Sequence, residues 1–538
     1  MTLSLTIHGA AQTVTGSCLE FHSGQSRLLV DCGLFQGSRT LEALNHEPPA
    51  YETGALDAVI LTHAHIDHSG LLPRLAAQGF AGPIWCTAGT ADLLEFMLAD
   101  AGRIQENEAE RRNRRRDRAG DDPFLPIYTE RDAMAAWRLT RVVALGEWFE
   151  PAPGFRARLW NAGHILGSAS VELEAAETRV LCSGDIGPDN KAFHADPASP
   201  AGFDHVICES TYGDREREKV SIAERRTLLE AEINAARARG GNLVIPVFAL
   251  ERTQELLLDI AMLSASGRIG QAMVFVDSPL ANRATGVFRK YAPDLEDTGG
   301  HDVFAHPSIR YVDDVMESMR LNTISGAIIL AASGMCEAGR IRHHLYYNLP
   351  RRDSTILFVG FQAEGSLGRV ILEGAQRVRI SGRDVRVKAQ IRRIESYSAH
   401  ADQTELVDWI RERGPISGSL MLDHGEPGAI EALRLLAESS GLAPRVIVPA
   451  IGERYELPPA APARRTRTGR TDLQGAIGRD WQNDYADLAT TLKGRLGRIG
   501  DPARRQKAIE EMRRILDSYA DRKPAHAGKH PRQARREG

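Results

Sequence analysis

The chain has 538 residues, 42% of them hydrophobic, and this length predicts two or more domains because one hydrophobic core rarely serves so many residues. Its 49 Gly and 26 Pro residues exclude a coiled coil and favour an α/β protein with many turns. The net charge of −4 argues against a protein that coats nucleic acid with its whole surface, but it combines +9 in residues 461–538 with −13 in the preceding 460 residues.

Short strands separated by Gly and polar turns are predicted first, at residues 3–7, 18–21, 27–30 and 58–61. A helix is predicted over residues 70–79, directly after a group of histidines, because its apolar residues recur at helical spacing. The N-terminus has no basic segment followed by an apolar core, and no apolar run reaches about 18 residues. We therefore expect a cytoplasmic protein without a membrane span.

Further apolar strands are predicted at residues 180–182, 205–208, 243–247, 272–276, 327–330 and 355–359, with helices between several of them. Alternating strands and helices predict a layered α/β architecture. We divide the chain into a first domain at 1–212, an inserted domain at 213–387, a return segment of the first domain at 388–460 and a basic helical extension at 461–538.

Two amphipathic helices are predicted in the extension. The first carries Trp481, Tyr485, Leu488, Leu492 and Leu496, and the second begins at the cap Asp501-Pro502. Residues 521–538 are predicted to be a disordered tail. The basic extension either contacts the phosphates of a polyanion or joins two copies of the chain as a homodimer, and the sequence leaves both open.

Six cysteines are scattered through the chain without metal-binding spacing, which predicts buried, reduced thiols. They are Cys18, Cys32, Cys86, Cys182, Cys208 and Cys336.

A metal site is predicted by His63, His65, Asp67 and His68, which crowd one short loop after a strand. Imidazole and carboxylate ligands suit Zn²⁺ or Mn²⁺ better than Ca²⁺, and the lack of a nearby Cys argues against a structural zinc. Other candidate ligands follow other strands, each in a Gly-containing turn, and could complete two metal sites. They are His164, Asp185 and His424.

These residues resemble the metallo-β-lactamase superfamily, whose HxHxDH motif they match at His63, His65, Asp67 and His68. The resemblance implies two metal ions, and it assigns His63, His65 and His164 to one ion. It assigns Asp67, His68 and His424 to the other, with Asp185 as the bridge. Asp31 resembles the family Asp that orients the cluster.

Three further motifs resemble the β-CASP branch, which cuts nucleic acids and includes bacterial relatives of the cleavage and polyadenylation endonuclease subunit. Glu209 is similar to motif A, His400 to motif B and His424 to motif C. The resemblance spans about residues 1–455 and implies an αββα sandwich with an inserted α/β domain. It also implies a zinc-dependent ribonuclease that acts in RNA processing or decay.

The chemistry follows from the residue types. Two metal ions about 3.5–4 Å apart can activate a hydroxide and hold a phosphate, which gives Asp67 and Asp185 catalytic importance as ligands. The leaving oxygen then needs a proton. His400 is the candidate donor, and Glu209 could orient it.

Substrate contacts are predicted from Gly turns that could present backbone N–H groups or arginine to phosphates. The candidates are Ser333, Gly334, Gly365, Ser366 and Arg369. His343 and His344 are expected on an ordinary helix face, and the basic run at 111–118 on a solvated helix.

Three other functions stay open: a DNA hydrolase, a small-molecule hydrolase on the same scaffold, and an inactive RNA-binding subunit. The last is disfavoured because every expected ligand from Asp31 to His424 is present. The sequence does not decide between endonuclease and exonuclease, and it does not identify the RNA or the metal used in the cell.

Overall fold

The computed structural model describes residues 2–114, 123–298, 302–360, 362, 366–473, 492 and 495–519. Two compact units divide the chain, Met1–Asp480 and Trp481–Gly538. The predicted helical residues Trp481, Tyr485 and Leu488, the tail 521–538 and residues 115–118 of the basic run lie outside the described residues.

The strands are β1 (Leu3–Ile7), β2 (Leu19–Ser23), β3 (Ser26–Val30), β4 (Ala58–Ile60), β5 (Ile84–Cys86), β6 (Thr140–Val142), β7 (Trp148–Phe149), β8 (Arg156–Asn161), β9 (Ala169–Ala175), β10 (Thr178–Cys182), β11 (Phe203–Glu209), β12 (Leu243–Pro246), β13 (Val274–Val276), β14 (Ile309–Tyr311), β15 (Ile328–Ala331), β16 (Thr355–Phe358), β17 (Arg377–Ile380), β18 (Arg383–Arg386), β19 (Gln390–Arg393), β20 (Ile416–Asp423), β21 (Val446–Ile447), β22 (Arg454–Leu457) and β23 (Arg464–Arg467).

The helices are α1 (Arg39–Leu44), α2 (Ile66–Ser69), α3 (Leu72–Ala77), α4 (Ala88–Arg114), α5 (Glu130–Trp137), α6 (Ile222–Arg239), α7 (Arg252–Ala265), α8 (Pro279–Tyr291), α9 (Val315–Arg320), α10 (Ile341–Asn348), α11 (Leu367–Leu372), α12 (Gln403–Glu412), α13 (Pro427–Ser439) and α14 (Pro502–Tyr519). None of these helices combines the length and the apolar character that a membrane span needs.

Three main sheets organise the first unit. The first has the strand order β23-β22-β1-β2-β3-β4-β5-β6, and the second has the order β21-β20-β11-β10-β9-β8-β7. The third sheet, β14-β13-β15-β12-β16-β19, is parallel throughout, and β17 and β18 form a separate hairpin.

The first two sheets pack face to face because alternate residues of their strands point to opposite sides. Leu28 and Val30 of β3 join Val171 of β9 in the core between the sheets, whereas Leu29 faces the helical layer of α3 and α4. On β11, Ile207 points to the same inner core and Val206 points outward, against α12 and α13. The result is the expected αββα sandwich.

The third sheet is buried on both faces, as parallel sheets usually are. Val244 and Phe358 lie in one core cluster, while Ile245 and Leu357 lie in another. The strands predicted in this part of the chain are therefore confirmed as one α/β layer.

Two local differences from the sequence prediction concern element boundaries. The predicted helix 70–79 is shorter, because Leu71 N donates to Cys32 O and so leaves the helical hydrogen-bond pattern; His68 itself lies in α2. The strand β23 lies beyond residue 460, the predicted end of the return segment, and pairs with β22. The division of the chain into four segments itself stays a prediction.

The second unit contains α14. Its N-terminus begins as predicted, with the Asp501 carboxylate accepting a hydrogen bond from Ala503 N at 2.9 Å.

Candidate metal centre

The predicted ligands lie in loops that leave one edge of the first two sheets. Residues 63–68 follow β4, and the other loops follow β3, β8, β10 and β20. Within each sheet these strands run in the same direction, so their carboxyl ends meet at the same edge. This arrangement brings side chains together that are up to 393 positions apart, from Asp31 to His424.

The first group of ligand-type atoms comes from His63, His65, His164 and Asp185. His65 Nδ1 lies 3.1 Å from His63 Nε2 and 3.2 Å from His164 Nε2. Asp185 Oδ2 lies 3.6 Å from His63 Nε2 and 3.5 Å from His164 Nε2. Each residue thus directs one ligand-type atom toward a common point.

The second group comes from Asp67, His68 and His424. His68 Nε2 lies 3.1 Å from His424 Nε2, which lies 3.7 Å from Asp67 Oδ2. Asp185 Oδ1 lies 3.2 Å from His68 Nε2, so the Asp185 carboxylate presents one oxygen to each group. The structure therefore brings together all seven residues predicted as ligands.

Asp31 contacts the ligand His68 through the ring nitrogen that does not face the other ligands. Its Oδ2 lies 2.7 Å from His68 Nδ1, and its Oδ1 accepts a hydrogen bond from Thr62 N at 2.9 Å. Ser17 Oγ donates to the same carboxylate at 3.2 Å. A hydrogen bond on one imidazole nitrogen fixes the ring and leaves the other nitrogen free to bind a metal.

The backbone of the loop after β3 closely approaches the backbone of the ligand loop 63–68, which follows β4. A Cβ atom at Gly33 would lie 1.7 Å from Asp67 O, so only glycine fits at this position.

The separations between the ligand nitrogen atoms fit those around a bound metal ion. Ligand atoms placed tetrahedrally at about 2.0–2.1 Å from a zinc ion are separated by about 3.3 Å. The three imidazole nitrogen pairs, at 3.1, 3.2 and 3.1 Å, match this spacing. Within the described part of the chain, Asp185 Oδ1 is buried without a well-aligned hydrogen bond, so an acceptor is left for a cation.

The electrostatics also favour a cation. Burial lowers the pKa of His63, His65 and His164, which keeps these rings in the neutral form that binds metals. Burial would lower the pKa of His424 as well, but the carboxylates of Asp185 and Asp67 together outweigh burial and raise that pKa to about 9. The buried carboxylates of the cluster therefore attract positive charge.

Glu209 and His400 lie together beside the cluster. His400 Nδ1 is 3.3 Å from Glu209 Oε1 and 3.9 Å from Asp185 Oδ2. Glu209 is fully buried, and its two oxygens accept hydrogen bonds from Ile186 N at 2.6 Å and Thr211 N at 3.2 Å. The structure thus brings the two predicted residues together and fixes the carboxylate in place, and their catalytic roles stay predictions.

Two residues around this site were not singled out from the sequence. Thr62 Oγ1 lies 3.0 Å from Asp31 Oδ2 and from His63 Nδ1, and its one sequence signal is its position before His63. Arg217 Nη2 donates to His400 O at 2.7 Å and pairs with Glu405 at 3.0 Å. Nothing in the local sequence links Arg217 to a loop 183 residues away.

The predicted substrate contacts make mainly local interactions. Ser333 Oγ donates to Ala338 O at 3.3 Å, and Ser366 Oγ accepts from Arg369 N at 3.2 Å as the cap of α11. The Arg369 guanidinium pairs with Glu373 at 2.6 Å. Gly334, in the loop after β15, packs under the Phe248 ring.

Gly365 lies outside the described residues, and a substrate role for this group stays a prediction. His344 lies on α10 as expected, where it is buried with Nε2 at 2.6 Å from Asp277 Oδ2.

Three family descriptions match the chain. "Metallo-beta-lactamase superfamily" covers residues 13–222, "Beta-Casp domain" covers 253–371, and "Zn-dependent metallo-hydrolase RNA specificity domain" covers 384–449.

Curated relatives match over most of the chain. Ribonuclease TTHA0252 of Thermus thermophilus is 34% identical over 439 residues, which is 80% of this chain and 95% of the relative. Transcription termination factor FttA of Methanothermobacter thermautotrophicus is 31% identical over 78% of this chain and 67% of its own length. The RNase J-like protein of Methanocaldococcus jannaschii is 30% identical over 78% of this chain and 92% of its own length.

The sandwich and its His/Asp centre define a metallo-hydrolase. The chain belongs to the β-CASP branch of the metallo-β-lactamase superfamily, and the family predicted from the sequence is confirmed.

Proposed function

We propose that the protein is a ribonuclease that hydrolyses RNA phosphodiester bonds with the help of two zinc ions. The observation that carries this proposal is the pair of ligand groups that share Asp185, with the Glu209–His400 pair beside them. The names of the relatives, two of which contain ribonuclease or RNase, support RNA as the substrate class.

His63, His65 and His164 would hold one ion, Asp67, His68 and His424 the other, and Asp185 would contact both. When bound, the pair of ions would lower the pKa of water and offset the charge of the phosphate. Mn²⁺ suits the same nitrogen and oxygen ligands and is the alternative metal.

The residues of the chain itself would position the substrate and move protons. His400 would give a proton to the leaving oxygen through the ring nitrogen that does not face Glu209. Glu209 would keep the other nitrogen protonated and the ring oriented, as a buried carboxylate does for a catalytic histidine.

The test combines metal analysis with cleavage of end-labelled RNA and of DNA with the same sequence, each with and without chelator. We expect about two zinc ions per chain, cleavage of RNA and loss of cleavage with chelator. His65→Ala should lose metal and abolish hydrolysis because it removes an imidazole that faces two others.

His343→Ala is the matched control, because His343 is an exposed histidine on α10. It should keep both metal and activity. Absence of bound transition metal, or full activity of His65→Ala in chelator, would contradict the proposal. Preference for the DNA would assign the same centre to a different substrate.

A further inference from the structure

Glu251 occupies a strained turn between β12 and α7. Arg252 N donates to Leu250 O at 2.9 Å, and Glu251 between them has φ +68° and ψ −63°. This γ-turn conformation is rare and strained for a residue with a side chain, whereas glycine adopts positive φ at little cost. A glutamate in such a turn indicates that its carboxylate makes interactions that outweigh the strain.

The Glu251 carboxylate is buried and makes three contacts with residues distant from this turn along the chain. Oε1 lies 2.6 Å from His194 Nε2 and 3.1 Å from Lys191 Nζ, and Oε2 accepts a hydrogen bond from Leu166 N at 3.2 Å. Burial would raise the pKa of this carboxyl, but His194 and Lys191 outweigh it and hold the pKa at about 2. The carboxylate is therefore charged.

Two of these contacts lead to the loop that carries His164. Lys191 Nζ donates a hydrogen bond to His164 O, and Glu251 accepts one from Leu166 N, two residues further on. The buried Lys191–Glu251 pair therefore holds this short segment at a carbonyl and at an N–H group. The His164 ring, whose Nε2 faces His65, is placed by the backbone to which it is attached.

We propose that Glu251 is a positioning residue for the metal centre: together with Lys191 it fixes the backbone of residues 164–166, so that the turn between β12 and α7 determines the position of the ligand His164. This inference rests on the proposed metal site. The inference makes the ligand group of His63, His65, His164 and Asp185 dependent on a residue in the turn that follows β12 of the third sheet. Among the hydrogen bonds and ion pairs of the described residues, Glu251 has none with Asp67, His68 or His424 of the second group.

A purely structural ion pair would behave differently. Loss of a buried partner destabilises a protein wherever the pair lies. A positioning role predicts, in addition, weaker binding of one metal ion of the two. Zinc affinity of the folded protein therefore separates the two roles, whereas stability alone does not.

The experiment titrates zinc into metal-free full-length protein against a competing chelator. Glu251→Gln keeps the side-chain size and removes the charge. We expect this variant to bind one of the two ions about 10-fold or more weakly, because loss of a group that supports a metal ligand usually lowers metal affinity by about this factor. The other ion should bind as in the wild type. Glu251→Gly removes the carboxylate and relieves the turn, and we expect the same selective loss.

Asp277→Asn is the matched control. Asp277 is also a buried carboxylate that follows a strand of the third sheet, β13, and it pairs with Arg340 and His344 at 2.6 Å each. Its loss should lower stability and leave both zinc affinities unchanged. Unchanged zinc binding by folded Glu251→Gln and Glu251→Gly would overturn the positioning role alone. Wild-type protein that binds no zinc would overturn the proposed function as well.

Discussion

The burial of Glu209 and His400, the two residues beside the candidate metal centre, agrees with the roles proposed for them. Glu209 is fully buried and its oxygens already accept two backbone hydrogen bonds, so it is a fixed carboxylate and not a mobile base. The His400 side chain keeps 21% exposure, so its ring can reach a substrate from this fixed support. The division into a rigid acceptor and an accessible imidazole suits a proton donor.

His400→Ala should keep the metal content and RNA binding of the wild type and lower turnover by about 10²- to 10⁴-fold, because it removes a general acid and leaves the seven ligands in place. Metal analysis, an RNA-binding titration and the rate of cleavage at saturating RNA check this expectation. Comparison with His65→Ala gives the contrast. If metal content falls as far as activity does, His400 is a ligand and the assignment is wrong.

Individual site residues differ in how well the sequence predicts them. His63, His65, Asp67 and His68 stand in one motif, so their proximity is evident before any fold is known. Thr62, Lys191 and Glu251 gain their meaning from partners that the fold supplies. Glu251 lies 85 positions from Leu166, and a local pattern cannot encode that contact.

At the scale of the element, strands fix both the centre and the core. Residues alternate between two buried faces in β3 and β11. Asp31 follows β3 directly and contacts His68, and Glu209 ends β11 and contacts His400. Three cysteines lie inside strands of the first two sheets: Cys86 in β5, Cys182 in β10 and Cys208 in β11. They are packing residues, and all six cysteines are free and buried, as the sequence predicted.

Native protein should therefore react with a thiol reagent slowly or not at all, whereas unfolded protein should expose six thiols. Burial raises the pKa of Cys86 and Cys336 to about 12, so few reactive thiolates exist near neutral pH. Absorbance with a chromogenic disulfide reagent, with and without denaturant, measures both numbers. Fast labelling of a thiol in native protein would show that its burial is incomplete.

The positions and types of the elements were easier to predict than the order in which the strands pair. Hydrophobic runs located β12, β13, β15 and β16 of the third sheet within a few residues, because continuous apolar runs are typical of buried parallel strands. The edge strands β14 and β19 were not predicted, because Arg and Gln residues interrupt their apolar pattern. The sheet order was not predictable: β22 pairs with β1, although about 450 residues separate them. Such a pairing depends on the complete fold, and no local turn specifies it.

At the scale of the whole molecule, charge is unevenly distributed along the chain. The strand β23 and Leu473 belong to the core of the first unit, since β23 pairs with β22 and Leu473 is buried. A deletion that starts near 462, close to the predicted start of the extension, would remove β23 and Leu473 and so damage that unit. The informative deletion therefore starts at 474. Residues 474–538 contain 15 Lys and Arg against 9 Asp and Glu, a formal charge of +6.

Two functions of this segment predict different results for a chain that ends at residue 473. If its cations contact RNA phosphates, binding to long RNA should weaken, and the slope of log K against log salt should flatten by up to about 4, because single strands release about 0.7 counterion per neutralised phosphate. Cleavage of a very short RNA should survive. If α14 joins two copies, the mass in solution should halve, since Ile515, Leu516 and Tyr519 are exposed and available to a partner.

A second truncation, after residue 520, separates charge from helix. It removes 6 Lys and Arg against 2 Asp and Glu, a charge of +4, and keeps α14. Under the RNA-contact hypothesis this shorter deletion should already reduce the salt slope in part, because the truncated chain neutralises fewer phosphates and its binding therefore releases fewer counterions from the RNA. Under the dimer hypothesis it should leave the mass of the wild type. Light scattering and salt titrations of all three chains decide the matter: an unchanged slope with a halved mass for the chain ending at 473 would reject RNA contact and favour the homodimer.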